Sequence, residues 1–130
     1  MKPDKTAVRA AWDDERLAAG KARASGDTTA EWRHLQRAHI VSQPLAGLHV
    51  RTHGAMLAAA VRRRDRREVV GQLTRLALAG PGSLTGRYPV GNTGGADVSA
   101  FRPMPIPDDL RALLEVGTDA PATTTTGDRA

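Results

Sequence analysis

The sequence contains no cysteine and few aromatic residues. Its 130 residues include two Trp, one Tyr and one Phe, although 40% of the residues are hydrophobic. The absence of cysteine excludes disulfide bonds, thiolate metal sites and cysteine nucleophiles, so a metal would need histidine, carboxylate or methionine ligands. With so few aromatic side chains, the core must come from alanine, leucine and valine in closely packed helices.

Long apolar runs are also missing. No stretch approaches the roughly 18–20 apolar residues of a membrane span, and residues 1–10 carry charges where a signal peptide has an apolar run. We therefore expect a cytoplasmic protein without membrane contact. The length fits one ordinary domain, and no serine lies in a nucleophile motif, so the sequence leaves open whether the protein is an enzyme.

Capping residues and helix breakers divide the chain into five predicted helices. Apolar residues recur at three- and four-residue steps, and the segments end at Gly26, Pro44 and the run Gly80–Pro81–Gly82. The predicted fold is all-α, with two antiparallel helical hairpins in one domain of residues 1–116. Its helices cover approximately residues 4–24, 28–42, 45–63, 66–79 and 108–115.

The two hairpins resemble each other in sequence. A shift of 38 positions places Asp27 on Asp65 and Leu35 on Leu73. Each hairpin also resembles a loose tetratricopeptide unit, which predicts two stacked copies of one helical hairpin.

A Gly/Pro-rich arm, residues 80–107, follows the second hairpin. Its alternating prolines favour an extended path with few hydrogen bonds of its own, lying across the helices. The Thr-rich residues 117–130 have nothing to bury and are predicted to be disordered. The apolar residues predicted to anchor the arm are Val90, Val98, Phe101, Met104 and Ile106.

All four histidines lie within twenty residues of each other. His49 and His53 are spaced i, i+4, so both rings leave one helix face about 6 Å apart. Across an antiparallel hairpin His39 comes level with His49, and the three rings can converge on one metal ion. The sequence predicts a metal or cofactor site formed by His39, His49 and His53, with His34 and Glu15 as weaker candidates.

Several fourth ligands and several metals remain open. Glu15, Glu31, Gln72 and the softer Met56 are candidate fourth ligands, and zinc, iron, nickel or copper would suit such a site. The alternative is that the histidines only cap carbonyl groups or fill half-buried positions. The single E-x-x-H motif, Glu31 to His34, does not provide the two copies that a di-iron site needs.

The glycine-rich block from Gly91 to Ala96 has two interpretations. It lacks the Lys-Ser/Thr of a phosphate-binding loop, so a turn with positive φ is the simpler one. The second is that the block folds over the histidines, where Asn92, Thr93 and Ser99, together with Gln72, supply hydrogen bonds to the ligands.

Five arginines crowd the connection between the third and fourth predicted helices. They account for much of the net charge of +5, which results from 19 basic and 14 acidic residues. Such a run can neutralise phosphates, but no aromatic stacking partner or recognition helix accompanies it, and a solvated loop is the commoner case. The candidate nucleic-acid contacts are Arg62, Arg63, Arg64, Arg66 and Arg67.

Several blocks together resemble a bacterial family of uncharacterised small proteins, the domain of unknown function 3703. The blocks are residues 34–40, Gln43, residues 49–57, Gly71–Gln72 and, above all, residues 91–107, G-N-T-G-G-A-D-V-S-A-F-R-P-M-P-I-P. The resemblance spans roughly residues 4–115. It implies the family and an approximate fold but no established activity.

Three functions follow from these patterns. The first is a small metal- or cofactor-binding protein that uses the histidine cluster. The second is a noncatalytic helical-repeat adaptor that binds a protein partner in its groove. The third is a nucleic-acid-binding accessory protein that uses the arginine run.

Overall fold

The computed structural model describes residues 3–85 and 90–114, with only the backbone described for residues 79–84. The predicted all-α fold is confirmed, because the described ranges contain five helices and no strand. The helices are α1 Lys5–Ala24, α2 Thr28–Ser42, α3 Ala46–Arg62, α4 Arg66–Thr85 and α5 Asp108–Leu114. None of the described helices is both long enough and apolar enough to cross a membrane.

Aspartate side chains cap the starts of the first, second and fourth helices. The Oδ1 atom of Asp27 accepts a hydrogen bond from the backbone N–H of Ala30 at 2.9 Å, and that of Asp65 accepts from Glu68 at 3.0 Å. Asp4 caps α1 in a similar way. These bonds satisfy N–H groups that have no partner inside the helix, which explains why the helices begin at these positions.

The turns of the two hairpins have the same backbone conformation. Gly26 and Arg64, which are 38 residues apart, both have positive φ, at 77° and 57°. In both turns the amide of the next residue donates to the carbonyl five positions back, at 2.9 and 3.0 Å. The offset seen in the sequence therefore recurs in the backbone, although an arginine in the left-handed region costs about 1–2 kcal/mol that glycine avoids.

The helices pack in sequence order. Helix α1 packs on α2, α2 on α3, and α3 on α4, as three-residue connections require. The apolar core has two clusters, and the buried polar residues described below form a third buried group. The larger cluster contains Val8, Trp12, Ala38, Ile40, Val41, Leu48 and Leu110, and the smaller contains Ala19, Leu35, Met56 and Ala59.

The arm folds into a compact loop around one asparagine. The side-chain amide of Asn92 donates to the carbonyls of Ser99 and Arg102 at 2.8 and 2.7 Å, and the amide of Met104 donates to the carbonyl of Val90 at 3.0 Å. Helix α5 then returns to the core through Leu110.

Two predictions about this region were wrong. Helix α4 does not end at residue 79 but continues to Thr85, so the arm begins later than residue 80. The φ of proline is itself helical, and a helix can pass through Pro81 at the cost of a hydrogen bond. Phe101 and Val90 are not anchors, since they are 76% and 49% exposed. The predicted disorder of residues 117–130 and the predicted last residue of α5, Glu115, lie outside the described residues.

A buried hydroxyl joins α1 to α3. The indole N–H of Trp12 donates to Oγ1 of Thr52 at 2.8 Å, and Thr52 donates to the carbonyl of Leu48 at 2.8 Å. Replacing Thr52 by the similarly shaped valine would leave the buried indole N–H without an acceptor.

We expect Thr52→Val to lower the free energy of unfolding by about 1–3 kcal/mol, the cost of one unsatisfied buried donor. Urea denaturation measures this value. The matched control is Thr74→Val, because Thr74 is exposed and bonds only within its own helix; it should change stability by less than about 0.5 kcal/mol. Equal losses in the two variants would contradict the role of the Trp12–Thr52 bond.

Candidate metal centre

Three histidine rings meet between α2, α3 and the arm. His39 lies in the last turn of α2, and His49 and His53 lie one turn apart on α3. The connection of residues 43–45 places the ends of these antiparallel helices side by side. All three residues are buried, with exposed fractions of 3%, 5% and 2%.

The rings present their Nε2 atoms to one another. The Nε2 atom of His39 lies 2.9 Å from that of His49 and 3.1 Å from that of His53. The ring centroids are 4.6–4.9 Å apart. Tetrahedral zinc, with Zn–N distances of about 2.0–2.1 Å, separates its nitrogen ligands by about 3.3 Å. These three residues form one group whose ligand atoms lie within 4.8 Å of each other.

The arm determines the tautomer of His39. Its Nδ1 atom lies 2.7 Å from the backbone carbonyl oxygen of Asn92. A carbonyl oxygen only accepts, so Nδ1 carries the proton and donates it. In the neutral ring, Nε2 of His39 therefore holds a lone pair directed at the other two rings.

A glutamine and a glutamate orient His53 from the other side. The side-chain amide of Gln72 donates to the carboxylate of Glu68 at 2.6 Å and to the carbonyl of Gly94 at 2.7 Å. Its Oε1 atom is thereby turned towards His53 and accepts a hydrogen bond from Nδ1 at 2.7 Å. In its neutral form His53 also presents an unprotonated Nε2 to the centre.

Gly94 packs its backbone against the ring of His39. Its φ is +79°, and a Cβ atom at this position would lie 2.7 Å from Cδ2 of His39. A larger residue would be strained by the backbone conformation and would collide with the ring. The position requires glycine for both reasons.

Burial keeps two of these rings neutral. It lowers the pKa of His39 well below the ordinary value, and the neighbouring rings of His53 and His49 lower it further. Burial also lowers the pKa of His53, partly offset by the hydrogen bond with Gln72. Near pH 7 these Nε2 atoms are therefore available as metal ligands.

When all three rings are neutral, one contact between two ring nitrogens has no proton. His49 can donate one Nε2 proton to His39, but the lone pairs of His39 and His53 still face each other at 3.1 Å with no proton between them. This contact is repulsive unless a cation lies near all three nitrogens. The arrangement can hold a metal ion through three imidazole nitrogens.

The other predicted ligands lie in different interactions. Glu15 binds Nδ1 of His34 and Nε of Arg37, each at 2.7 Å. Glu31 forms an ion pair with Arg62. None of these residues joins the group of His39, His49 and His53. Met56 is fully buried in the smaller apolar cluster.

Of the predicted supporting residues, Asn92 and Gln72 contact the histidines, each through its own kind of atom. Asn92 contacts His39 through its backbone carbonyl, while its side chain holds the arm loop together. Ser99 contributes a carbonyl to that loop. Thr93 is half-buried next to Asn92. Gln72 bonds directly to His53, as an orienting residue rather than a fourth ligand.

The arginine run lies on the surface around the α3–α4 turn. All five of its residues are exposed. Arg62 pairs with Glu31, and the guanidinium of Arg63 lies 5.1 Å from the ring centre of Trp32.

Sequence reasoning missed two residues of this centre. Glu68 is buried, and its carboxylate accepts from Gln72 and from the amide of Ala96. Its i, i+4 spacing from Gln72 was a usable signal, since such residues are neighbours on a helix. The packing of Gly94 on His39 could not be predicted from the sequence beyond the presence of a glycine, because this contact depends on where the arm lies.

The model of a family described as "Protein of unknown function (DUF3703)" matches residues 6–114. The chain belongs to this family, which confirms the predicted resemblance. Searches of curated proteins and of solved structures found no match to this chain.

The metal-free protein should lose stability as the pH falls below about 6.5. There a histidine of the unfolded chain binds a proton, whereas His39, with its lowered pKa, stays neutral in the folded chain. The unfolded state then binds more protons, so the free energy of unfolding falls by up to about 1.4 kcal/mol per pH unit for each such histidine, until the folded pKa is reached.

Urea denaturation in the presence of a chelator, between about pH 7 and 5, measures this slope. His39→Gln keeps a donor for the carbonyl of Asn92 and removes the titrating ring, so its slope should be shallower. Parallel curves for the two proteins would contradict the assignment.

Proposed function

We propose that this protein binds a divalent transition metal ion through the Nε2 atoms of His39, His49 and His53. The observation that supports this most directly is the 3.1 Å distance between the Nε2 atoms of His39 and His53. The Nδ1 atoms of these rings bond to oxygen acceptors of Asn92 and Gln72, which leaves a lone pair on each Nε2 of the neutral rings. A metal ion between the rings converts this repulsion into coordinate bonds.

The nature of the ligands favours a borderline metal. Imidazole nitrogen suits zinc, copper, nickel and iron, which are the four metals that the sequence predicts. Zinc fits best because it has no geometric preference of its own and accepts three histidines with one further ligand. The surroundings resemble those of known metal ligands, since the outer ring nitrogens of His39 and His53 donate to a carbonyl and to an amide oxygen.

A bound metal would join three parts of the chain. His39 belongs to α2, His49 and His53 belong to α3, and the arm contacts His39 and Gln72 through Asn92 and Gly94. Because the three rings are almost fully buried, we propose a role in binding and holding the ion rather than in turning over a large substrate.

The helical adaptor remains the second candidate. Val70 and Leu73 lie on α4 with exposed fractions of 64% and 55%. Exposed apolar side chains on one face of a helix can contribute to a protein interface. This role requires no metal, so metal analysis separates the two candidates.

Protein purified without a histidine tag and stripped with a chelator should bind one equivalent of Zn²⁺ by calorimetry. His39→Gln, His49→Gln and His53→Gln should each weaken binding by more than about 100-fold, since loss of an orienting partner alone costs about 10–100-fold. Circular dichroism should show the same helical spectrum in all of them.

The control is His34→Gln, because His34 bonds to Glu15 away from the centre. It should bind Zn²⁺ as the unaltered protein does. Co²⁺ gives a second measurement, since a tetrahedral site with three nitrogen ligands produces visible absorption bands. The proposal would be refuted if the stripped, folded protein did not bind Zn²⁺. It would also be refuted if the three centre variants bound Zn²⁺ as tightly as the unaltered protein.

A further inference from the structure

A second site candidate lies between α1, α2 and α3. It is a pocket of about 160 Å³. Its apolar wall consists of alanine side chains and Leu35, and three arginines, Arg16, Arg23 and Arg62, line it together with Glu31. A water molecule occupies about 30 Å³ in the liquid, so the pocket has room for a small molecule rather than a peptide.

The charges of the pocket are unbalanced. Arg62 forms an ion pair with the buried Glu31. Arg16 and Arg23 form no ion pair within the described part of the chain. The guanidinium of Arg16 instead lies 5.6 Å from the ring centre of Trp12. With three arginines and one glutamate, the lining carries two more positive than negative charges; Arg16 is half-buried and Arg23 is exposed at the pocket.

The desolvation of Arg16 adds to this imbalance. Burial lowers the pKa of Arg16 below its ordinary value, which means that placing this charge there costs free energy in the folded protein. An anionic group bound to Arg16 would offset that cost, because guanidinium groups bind carboxylate and phosphate oxygens with paired hydrogen bonds.

Gly20 leaves space for such a ligand. It lies inside α1, where glycine is less favourable than alanine, and it lines the pocket. A Cβ atom at Gly20 would meet no atom within 4 Å. The backbone does not require glycine here, since the φ of Gly20 is not positive. Gly20 is itself exposed, so the missing side chain leaves open space beside the pocket and relieves no strain.

We propose that the pocket binds a small organic dianion with a compact apolar body. Arg16 and Arg23 bind its anionic groups, and the alanine side chains and Leu35 contact its carbon skeleton. The Glu31–Arg62 pair also lines the pocket, and the carboxylate of Glu31 disfavours a third negative charge. Short dicarboxylates and alkyl phosphates share this chemistry.

Calorimetry of the full-length protein with succinate and with methyl phosphate tests the proposal. At least one of them should bind with 1:1 stoichiometry, and comparison of the two identifies the anionic group. Succinamide, which is neutral, should not bind. A chelator in every titration keeps the result independent of the histidine centre.

Arg16→Gln should raise the Kd by about tenfold or more, as expected for the loss of a charge-assisted bidentate contact. Gly20→Leu should abolish binding by filling the pocket, whereas its melting temperature should stay the same or rise. Loss of binding without loss of stability distinguishes a ligand site from a structural effect.

The matched control is Arg33→Gln, because Arg33 is exposed on α2 and does not line the pocket. Its Kd should equal that of the unaltered protein at the same ionic strength. The proposal is overturned if neither probe binds at millimolar concentration, if Gly20→Leu binds normally, or if Arg33→Gln weakens binding as much as Arg16→Gln.

Discussion

The burial of three imidazoles against one another is the constraint on which the rest of the described structure depends. A buried polar group without a partner costs several kcal/mol, so each ring must have hydrogen-bond partners that the fold supplies. For His39 the partner is the carbonyl of Asn92, and for His53 it is the side chain of Gln72. These two bonds fix where the arm and α4 lie relative to α2 and α3. The amide of Gln72 links the two sides, since it also donates to Gly94 in the arm.

The part of the centre that could be predicted is the part that depends on local geometry. His49 and His53 share a face because they are four residues apart on one helix, and His39 joins them because a short connection makes α2 and α3 antiparallel. His34 could have been excluded by the same reasoning. It lies five residues before His39, and at about 100° per residue this places its side chain about 140° around α2. There it meets Glu15 of α1 instead.

The arm could be predicted only in part, because many of its hydrogen bonds with the helices are made by backbone atoms. Of the predicted apolar anchors, Val90 and Phe101 are exposed, whereas Ile106 packs against the larger apolar cluster. Hydrogen bonds with the helices come from backbone groups of the arm, including the carbonyls of Asn92 and Gly94 and the amide of Ala96. Carbonyl and amide groups are the same in every residue, so no side-chain pattern reveals which of them will bond. The internal similarity also breaks down here. Leu35 is buried, whereas Leu73, 38 positions later, is 55% exposed because none of the described helices packs on its side of α4.

The charge of a bound ion connects the centre to the arm. Three neutral imidazoles do not neutralise a divalent cation, and a buried charge without a counter-charge is strongly destabilising. The first negative charge along the described hydrogen bonds from His53 is that of Glu68, which accepts a hydrogen bond from Gln72. Its carboxylate also accepts a hydrogen bond from the amide of Ala96. It further offsets the positive charge of Arg75, which itself lowers the pKa of His39 and of His53. The carboxylate that holds the arm in place is therefore the one that would lower the cost of binding the metal. For this reason arm attachment and metal binding should stabilise each other: each orders the Glu68–Gln72–His53 chain that the other requires.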